Sequence, residues 1–519
     1  MTERMTSSIQ QKTTRALWII ATLLMVFVMV WPLWAGMIAV NDDIKFIRVP
    51  AHAQPLLMQI TQAWAHSPSF RPLELLIAVG CDERTLDCMW AMPSQILGLL
   101  ALVWGVVMLA KIVLPTQPWV APMAVIWTAL SPSTTCSAWQ MDASSQTWSA
   151  ALGIWACVLC WRCFVEARQA RIAYRSLAML TLIFFIGVNV KETFYGWSAG
   201  IGIVAICATA WLLMRERAAG IRASLVLLPV IAVPIAHMAA RWCTGAMSQS
   251  MDTKQESRYQ LEFGMNLFLN AGQSIAGTVG TGPFYLLPDA QAALITRALP
   301  AIAGIAELAL LVAVFEFSVL RNTGATRLRW WPIVLLCAAG LLSLSVTFPM
   351  GSVGELYGLG ANVCVALLLA VAVTALWRMT TENDRHVSHG IVVGCAAVMI
   401  GIGLYGMVGR ANHFASIWQR TRMANAQILN FMDTRPAAPK YADAPESVIY
   451  FPTSCRPPYS YSAYIMPTAQ AIDIINTTCW MKQLHPKYPT TFSIDVLPTN
   501  PGPYELVIDC DAMPTHAHW

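Results

Sequence analysis

Charged residues are scarce in this sequence: Asp, Glu, Lys and Arg make up 12% of its 519 residues, against roughly 25% in soluble proteins. Internal repeats and low-complexity tracts are missing too. The nine histidines show no metal-ligand spacing except in HAHW at the end of the sequence, where a rigid zinc site is not expected. These absences exclude a soluble enzyme, a nucleic-acid-binding protein and a disordered scaffold.

Long apolar runs take the place of the missing charge. Apolar residues account for 56% of the sequence, and a run of about 20 such residues spans the ~30 Å hydrocarbon layer as a helix. The sequence therefore predicts an α-helical polytopic membrane protein with about 11 transmembrane helices. The runs lie near 16–40, 91–114, 119–132, 147–165, 177–190, 197–214, 223–240, 298–320, 330–348, 359–377 and 390–408. The stretch 264–287 is either re-entrant or a further span.

The loops between these runs differ in charge. The loops assigned to one side contain 16 Lys and Arg against 5 Asp and Glu, and those on the other side contain 17 against 21. Because positive loops remain in the cytoplasm, the N-terminus is predicted to be cytoplasmic and the C-terminal segment to lie outside. The first run is too long for a removable signal peptide and is predicted to stay as an anchor.

Three sizeable hydrophilic pieces fall on the outer side: a first loop at 41–90, a middle loop at 241–297 and the tail at 409–519. We expect a transmembrane module at 1–408 and a separate outer domain at 409–519. Amphipathic stretches in the first loop predict helices along the membrane surface. In the tail, a polar helix near 411–433 and the β-like runs ESVIYF, TFSIDVL and YELVID predict a small mixed α/β domain, which we expect to cap an outer cavity.

Outward-facing cysteines indicate an oxidising compartment. Cys81 and Cys88 bracket the short loop CDERTLDC, and their spacing predicts a local disulfide. The pairing of the other outer cysteines stays open; these are Cys136, Cys243, Cys455, Cys479 and Cys510.

Three short motifs could carry chemistry. Asp42 and Asp43 follow the first span in NDD, where one carboxylate could deprotonate an acceptor hydroxyl while the other orients it or binds a divalent cation. The alternative is an ordinary solvated helix end. Arg71, in SFRPLELL, could make bidentate contacts to a phosphate. In VKETFYG, Lys191, Glu192 and Tyr195 lie at an outer helix end, where a snorkelling pair is the alternative.

The order of these motifs resembles the GT-C superfamily of integral-membrane glycosyltransferases, which includes protein O-mannosyltransferases, aminoarabinose transferases and serotype-converting glucosyltransferases. NDD stands here where many relatives have Asp-Glu. The resemblance implies a sugar donor linked to polyprenyl (undecaprenyl) phosphate and Asp42 or Asp43 as the general base. It also implies an active site on the periplasmic face of a bacterial inner membrane. The acceptor would be O-antigen or lipopolysaccharide, another envelope glycan, a lipid or a protein.

Further candidates lie on the same predicted side. The donor phosphate could be bound by Arg241 and Arg410 together with Arg71 and Lys191. Asp142, Glu355 and Tyr357 are candidates for substrate binding, as are Glu192 and Tyr195. Asp142 lies in WQMDASSQTW, where Trp139 and Trp148 suit either sugar stacking or an interfacial aromatic belt. No cofactor is identified; a divalent cation, Mg²⁺ or Mn²⁺, is a candidate that Asp42 and Asp43 could hold.

Two other classes of membrane protein remain as alternatives. A lipid-linked glycan polymerase or ligase uses the same donors on the same face. A transporter or flippase of lipid-linked sugars would place charges near the midplane and often has two related halves. The sequence has large asymmetric outer loops and no duplicated pattern, which favours the transferase.

Overall fold

The computed structural model describes residues 2–37, 73, 92–140, 143–191, 193–243, 267, 330–345, 358–382, 386–436, 447–450, 452, 490–493 and 497–509. Within these ranges the helices are α1 (Thr2–Ala35), α2 (Met92–Val113), α3 (Val120–Leu130), α4 (Pro132–Trp139), α5 (Ser144–Arg168), α6 (Tyr174–Val190), α7 (Thr193–Arg215), α8 (Arg217–Ser224), a π-helical segment (Leu228–Ala232), α9 (Val233–Cys243), α10 (Trp330–Ser345), α11 (Leu359–Glu382) and α12 (His386–Thr434). Three short strands follow: β1 (Ser447–Tyr450), β2 (Thr490–Ser493) and β3 (Glu505–Val507).

The protein is a multi-pass membrane protein. Six helical stretches in the described part are long and apolar enough to cross a bilayer: Gln11–Ala35, Met92–Val113, Ser144–Arg168, Thr193–Arg215, Arg217–Cys243 and Leu359–Trp377. Three shorter apolar helices accompany them, at Val120–Leu130, Tyr174–Val190 and Pro332–Ser345. Helices suit this environment because their backbone hydrogen bonds are satisfied within the segment. The predicted span 298–320, the stretch 264–287 and the first outer loop except Leu73 lie outside the described residues, so the count of 11 stays a prediction.

The helices alternate in direction. We call the distal end the end of the bundle at which α1, α6, α9 and α10 finish and α2, α5, α7 and α11 begin. Side-chain contacts tie these termini together: Trp148 Nε1 donates to Ser94 Oγ at 3.2 Å, and Thr193 Oγ1 donates to Gln146 Oε1 at 3.1 Å. The opposite, proximal end has the Arg168–Glu216 ion pair between α5 and the residue before α8.

The chain turns sharply between α3 and α4. Ser131 has an extended conformation (φ −66°, ψ 138°), and Pro132 begins the next helix. A proline disfavours the helical conformation in the residue before it, but its own φ suits the first position of a helix. The predicted span 119–132 therefore corresponds to α3, which ends at Leu130, and α4 lies in what the sequence indicated was an outer loop.

The predicted span 223–240 is also interrupted. It contains Pro229 and Pro234, and the π-helical segment Leu228–Ala232 lies between α8 and α9. Pro234 has no N–H to donate to the Val230 carbonyl one turn earlier. Ser198 Oγ of α7 donates to that carbonyl at 2.8 Å instead. A side chain of the neighbouring helix thus satisfies the backbone group that proline leaves unpaired.

The last helix is much longer than the predicted span. The run 390–408 and the polar helix near 411–433 form one helix, α12, of 49 residues. At 1.5 Å per residue it is ~74 Å long, more than twice the ~30 Å hydrocarbon thickness. The sequence between the two halves contains no proline, and the helix continues beyond the membrane without a break.

The three strands match the three β-like runs of the tail. They form a parallel sheet with the order β2-β1-β3. Ile449 and Ile508 are buried in the same core as Ile428 and Met432 of α12. Arg435 Nη1 also donates to Ser447 Oγ at 2.7 Å, and Gln427 exchanges two hydrogen bonds with the Asp509 backbone. The sheet is thus attached to the extension of α12; a separate domain at 409–519 stays a prediction.

Candidate functional site

The distal ends of α6, α7 and α9 meet at a hydrogen-bonded histidine. His237 Nε2 lies 3.1 Å from Asn189 Oδ1, and His237 Nδ1 lies 2.6 Å from Tyr195 Oη. Asn189 Nδ2 donates to the Phe185 carbonyl, so its Oδ1 is the acceptor for His237. In the neutral imidazole Nε2 then carries the proton, and Nδ1 accepts a hydrogen bond from the Tyr195 hydroxyl.

The first outer loop reaches this junction. The backbone N–H of Leu73 donates to the Asn189 carbonyl at 3.2 Å. Leu73 is part of the Arg-Pro-Leu segment, two residues after Arg71. The contact therefore brings Leu73 to the end of α6, although more than 100 residues separate the two in sequence.

Two buried basic residues flank the same junction. Lys191 is 4% exposed and follows Asn189 directly after α6. Arg241 is 9% exposed and lies one helical turn after His237 on α9. Positive charges are costly to bury in a membrane protein and are usually functional there. The junction is thus suited to an anionic group.

A strip of buried neutral polar side chains lies beside it. Thr193 Oγ1 is bonded to both Gln146 and Ser149 across the starts of α5 and α7. The strip continues along α4, all eight residues of which are buried. In the described part of the chain, the hydroxyls of Ser133, Thr134, Ser137 and Thr147 have no hydrogen-bond partner. Such groups are costly to leave unpaired.

The end of α1 fixes where the chain leaves the membrane before NDD. The Met37 N–H donates to the Pro32 carbonyl and the Gly36 N–H to the Leu33 carbonyl, with Gly36 at φ +69°. This is a Schellman motif, in which glycine tolerates the left-handed conformation. Arg422 Nη2 of α12 donates to the Gly36 carbonyl at 2.5 Å. The extension of α12 therefore contacts α1 five residues before Asn41.

A third basic residue lies inside the bundle on α12. Arg410 is fully buried. One turn later Phe414 packs edge-on against Trp139 of α4, with ring centroids 5.8 Å apart. Farther along, burial lowers the pKa of Arg420 from its usual value by desolvation. Arg410 lies beside α3, α4 and α11, whereas Lys191 lies where α6 meets α7 and α9.

The described residues bring together part of the predicted site. Tyr195, Lys191 and Arg241 share one junction, and Leu73, two residues after Arg71, is bonded to it. Arg71 itself lies outside the described part of the chain, as do eight other predicted site residues: Asp42, Asp43, Asp142, Glu192, Glu355, Tyr357 and the predicted disulfide pair Cys81 and Cys88. Their placement in the site stays a prediction.

One predicted aromatic surface is not available to a substrate. Trp139 is fully buried, and its Nε1 donates to the Val28 carbonyl at 3.0 Å. Trp139, at the end of α4, packs against α1 and α12. It is therefore neither a stacking face for a sugar nor part of an interfacial aromatic belt. Trp148 is partly buried and bonded to Ser94.

The predicted cation site falls on residues outside the described ranges. In those ranges no three His, Cys, Asp or Glu side chains lie close enough together to hold a metal ion. Asp42 and Asp43, the predicted ligands, are not among them.

Sequence reasoning missed His237 and Asn189, which hold the junction together. The available signal was a histidine inside a predicted span, because ionisable residues at membrane depth are usually functional. Asn189 carried a weaker signal as a polar residue in the last turn of an apolar run.

No family model and no curated protein matches this chain. Among solved structures it is similar to the archaeal oligosaccharyltransferase AglB from Archaeoglobus fulgidus in complex with an inhibitory peptide and a dolichol-phosphate. The two are 9% identical with a TM-score of 0.45, over 85% of this chain and 62% of that one. The apo form of the Archaeoglobus fulgidus oligosaccharyltransferase gives 9% identity and a TM-score of 0.43, over 84% and 62%.

This chain thus spans less than two thirds of the length of both structures. Both are oligosaccharyltransferases by their descriptions.

Proposed function

We propose that this protein transfers a sugar from a polyprenyl-phosphate carrier to an acceptor on the periplasmic face of a bacterial inner membrane. The observation that carries the proposal is the distal junction. There, buried Lys191 and Arg241 flank the Asn189–His237–Tyr195 hydrogen bonds, and Leu73 of the Arg-Pro-Leu segment is bonded to Asn189. A lipid phosphate at a membrane surface needs fixed positive charge of this kind.

The proposed reaction is a displacement at the anomeric carbon. The acceptor oxygen forms the new bond to that carbon while the bond to the phosphate oxygen breaks, and the phosphate leaves with the electron pair. Asp42 or Asp43 takes the proton of the acceptor hydroxyl. Lys191, Arg241 and Arg71 would stabilise the negative charge that develops on the phosphate. A divalent cation held by Asp42 and Asp43 would add to that stabilisation.

The polar side chains next to the junction, Thr193, Gln146 and Ser149, are uncharged. This favours a neutral hexose or pentose over an acidic sugar. Arg410 would bind an anionic part of the donor or acceptor.

The test of the donor is a measurement of the lipid that co-purifies with the protein. Mass spectrometry of lipids extracted from purified wild-type protein should detect a polyprenyl phosphate or its glycosylated form. In Lys191→Gln this lipid should fall about tenfold or more, because a buried charge-assisted contact is lost. Lys111→Gln is the matched control, since Lys111 lies in the last turn of α2 at the proximal end. Equal lipid in both variants, or no polyprenyl lipid in the wild type, would contradict the proposal.

The base is tested separately. Asp42→Asn and Asp43→Asn should each be measured for sugar transfer from polyprenyl-phosphate-glucose. At the true base, kcat should fall far more than KM rises. Full turnover by both variants would remove NDD from the mechanism.

We assign acceptor binding, with O-antigen or another envelope glycan as the leading candidate, to the sheet on α12. Deleting residues 437–519 should abolish transfer to the natural glycan while slow hydrolysis of the lipid donor continues. Gln427→Ala, which removes two bonds to Asp509 but keeps the sheet, is the milder variant. Transfer that survives the deletion in a folded protein would leave the sheet without a substrate role.

A further inference from the structure

A cavity lies at the proximal end of the bundle, away from the proposed site. It occupies about 560 Å³ between α5, α7 and α10, a size typical of ligand pockets. Its walls are mostly apolar, and the polar side chains Arg168, Gln169 and Glu216 lie at one end. The apolar lining consists of Trp161, Phe164, Val165, Val204, Ala208, Trp211, Leu212 and Leu335.

The polar end of this cavity lies next to two basic stretches of the chain. The sequence from residue 162 to 175 and from 215 to 222 contains seven arginines and two glutamates. Glu216 pairs with Arg168 at 3.2 Å, and both side chains are substantially exposed. The Arg215 guanidinium lies 5.1 Å from the centre of the Trp211 ring, a lining residue. Arg222 Nε donates to the Ala167 carbonyl beside Arg168.

The combination matches one class of ligand. An apolar cavity with Arg168 at its polar end and Arg215 beside its lining residue Trp211 fits an acyl chain with an anionic headgroup, because basic pockets between transmembrane helices bind such lipids. A polyprenyl tail reaching down from the distal junction would fill the apolar part but would leave the arginines unused. Its phosphate would lie at Lys191, about one membrane thickness away.

We propose that this cavity binds one anionic phospholipid. Its phosphate would contact Arg168 and Arg215, and one acyl chain would lie between Trp161 and Trp211. Such a lipid would connect α5, α7 and α10 at the end of the bundle opposite the proposed reaction. The proposal stands apart from the transferase activity, because none of its residues belongs to the distal junction.

Native mass spectrometry of the purified full-length protein tests the headgroup preference. Palmitoyl-oleoyl-phosphatidylglycerol should be retained more strongly than palmitoyl-oleoyl-phosphatidylcholine. The variant Arg168→Gln/Arg215→Gln should lower the apparent affinity for phosphatidylglycerol about tenfold and leave that for phosphatidylcholine unchanged. Lys12→Gln/Arg15→Gln is the matched control, because it removes two exposed charges near the start of α1. Equal retention of both lipids by the wild type would overturn the proposal. So would a loss of phosphatidylglycerol affinity in Lys12→Gln/Arg15→Gln that equals the loss in Arg168→Gln/Arg215→Gln.

A second variant tests the cavity without changing any charge. Ala208→Phe adds a ring inside the lining and should reduce phosphatidylglycerol retention, whereas Ala218→Phe, at an exposed position of α8, should not. The two alanine variants also test phospholipid binding if the Arg168→Gln/Arg215→Gln protein fails to fold. Unchanged retention in Ala208→Phe would show that no acyl chain enters the cavity.

Discussion

At the scale of single residues, the hydroxyl of Tyr195 is the group whose removal is most informative. Tyr195→Phe deletes the 2.6 Å contact with His237 and leaves the His237–Asn189 contact in place. We expect unfolding free energy to fall by about 1 kcal/mol, the net value of one hydrogen bond. Co-purified polyprenyl lipid, measured by mass spectrometry, should also decrease.

Tyr405 provides the control for this change. It lies on α12 and is 71% exposed. Tyr405→Phe should alter neither stability nor lipid content. A Tyr195→Phe protein that keeps its full lipid content would show that the hydroxyl serves packing alone.

Gly36 is a second residue with a definite physical role. At φ +69° a side chain is strained, and a Cβ would lie 2.7 Å from Arg422 Nη2. Gly36→Ala should therefore destabilise the protein by about 1–2 kcal/mol, measured by thermal unfolding in detergent. Gly401→Ala, where a Cβ meets nothing within 4 Å, should be neutral or slightly stabilising. Equal unfolding temperatures of the Gly36→Ala and Gly401→Ala proteins would argue against the Schellman motif at the end of α1.

At the scale of elements, α7 and α10 are held together by direct backbone contact. Gly196 and Gly200 are spaced by four on α7. A Cβ on Gly200 would come within 2.4 Å of Ala339 Cα and 2.6 Å of the Ala338 carbonyl oxygen of α10. Small residues at this spacing allow close approach of membrane helices. The two helices can approach this closely only because Gly196 and Gly200 have no side chains.

Gly200→Ala should separate α7 from α10 and destabilise the protein by about 1–3 kcal/mol, as overpacking usually does. Gly202→Ala is the matched control on the same helix, since its Cβ would have no neighbour closer than 3.6 Å. Thermal unfolding of the two variants should differ clearly. If Gly202→Ala lowers the unfolding temperature as much as Gly200→Ala does, the effect comes from helix propensity and not from overpacking against α10.

At the scale of the whole molecule, the direction of the helices predicts which thiols a membrane-impermeant reagent can reach. Cys243 is a free, exposed thiol at the distal end of α9. In intact spheroplasts a charged maleimide should label it, as peptide mass spectrometry would show. Cys207 is exposed midway along α7, where hydrocarbon surrounds it, and should stay unlabelled.

A cysteine introduced at Ala218, exposed near the start of α8, completes the experiment. It should react only after the membrane is permeabilised, because the distal end is predicted to face outward and the proximal end the cytoplasm. Labelling of Ala218→Cys in intact spheroplasts, with Cys243 protected, would reverse the topology.

The sequence by itself determined the class of the protein and much of its architecture. Apolar runs of membrane length predict helices because lipid offers the backbone no hydrogen-bond partners, and the structure contains helices at most of these runs. The three β-like runs are strands, since alternating β-branched and aromatic residues favour them. The sequence also indicated Lys191, Tyr195 and Arg241 as candidates, because each is polar where the chain leaves an apolar run.

Only the tertiary structure decided how these pieces combine. A π-helical segment at Pro229 interrupts the predicted span 223–240, and an extra helix begins at Pro132 in a predicted loop. In contrast, α12 continues through the predicted boundary near residue 408, because neighbouring helices determine which backbone groups find partners. The contact of Leu73 with Asn189 and of His237 with Tyr195 joins segments that are more than 40 residues apart. Sequence periodicity reports which face of a helix is apolar, but it does not specify which other helix that face meets.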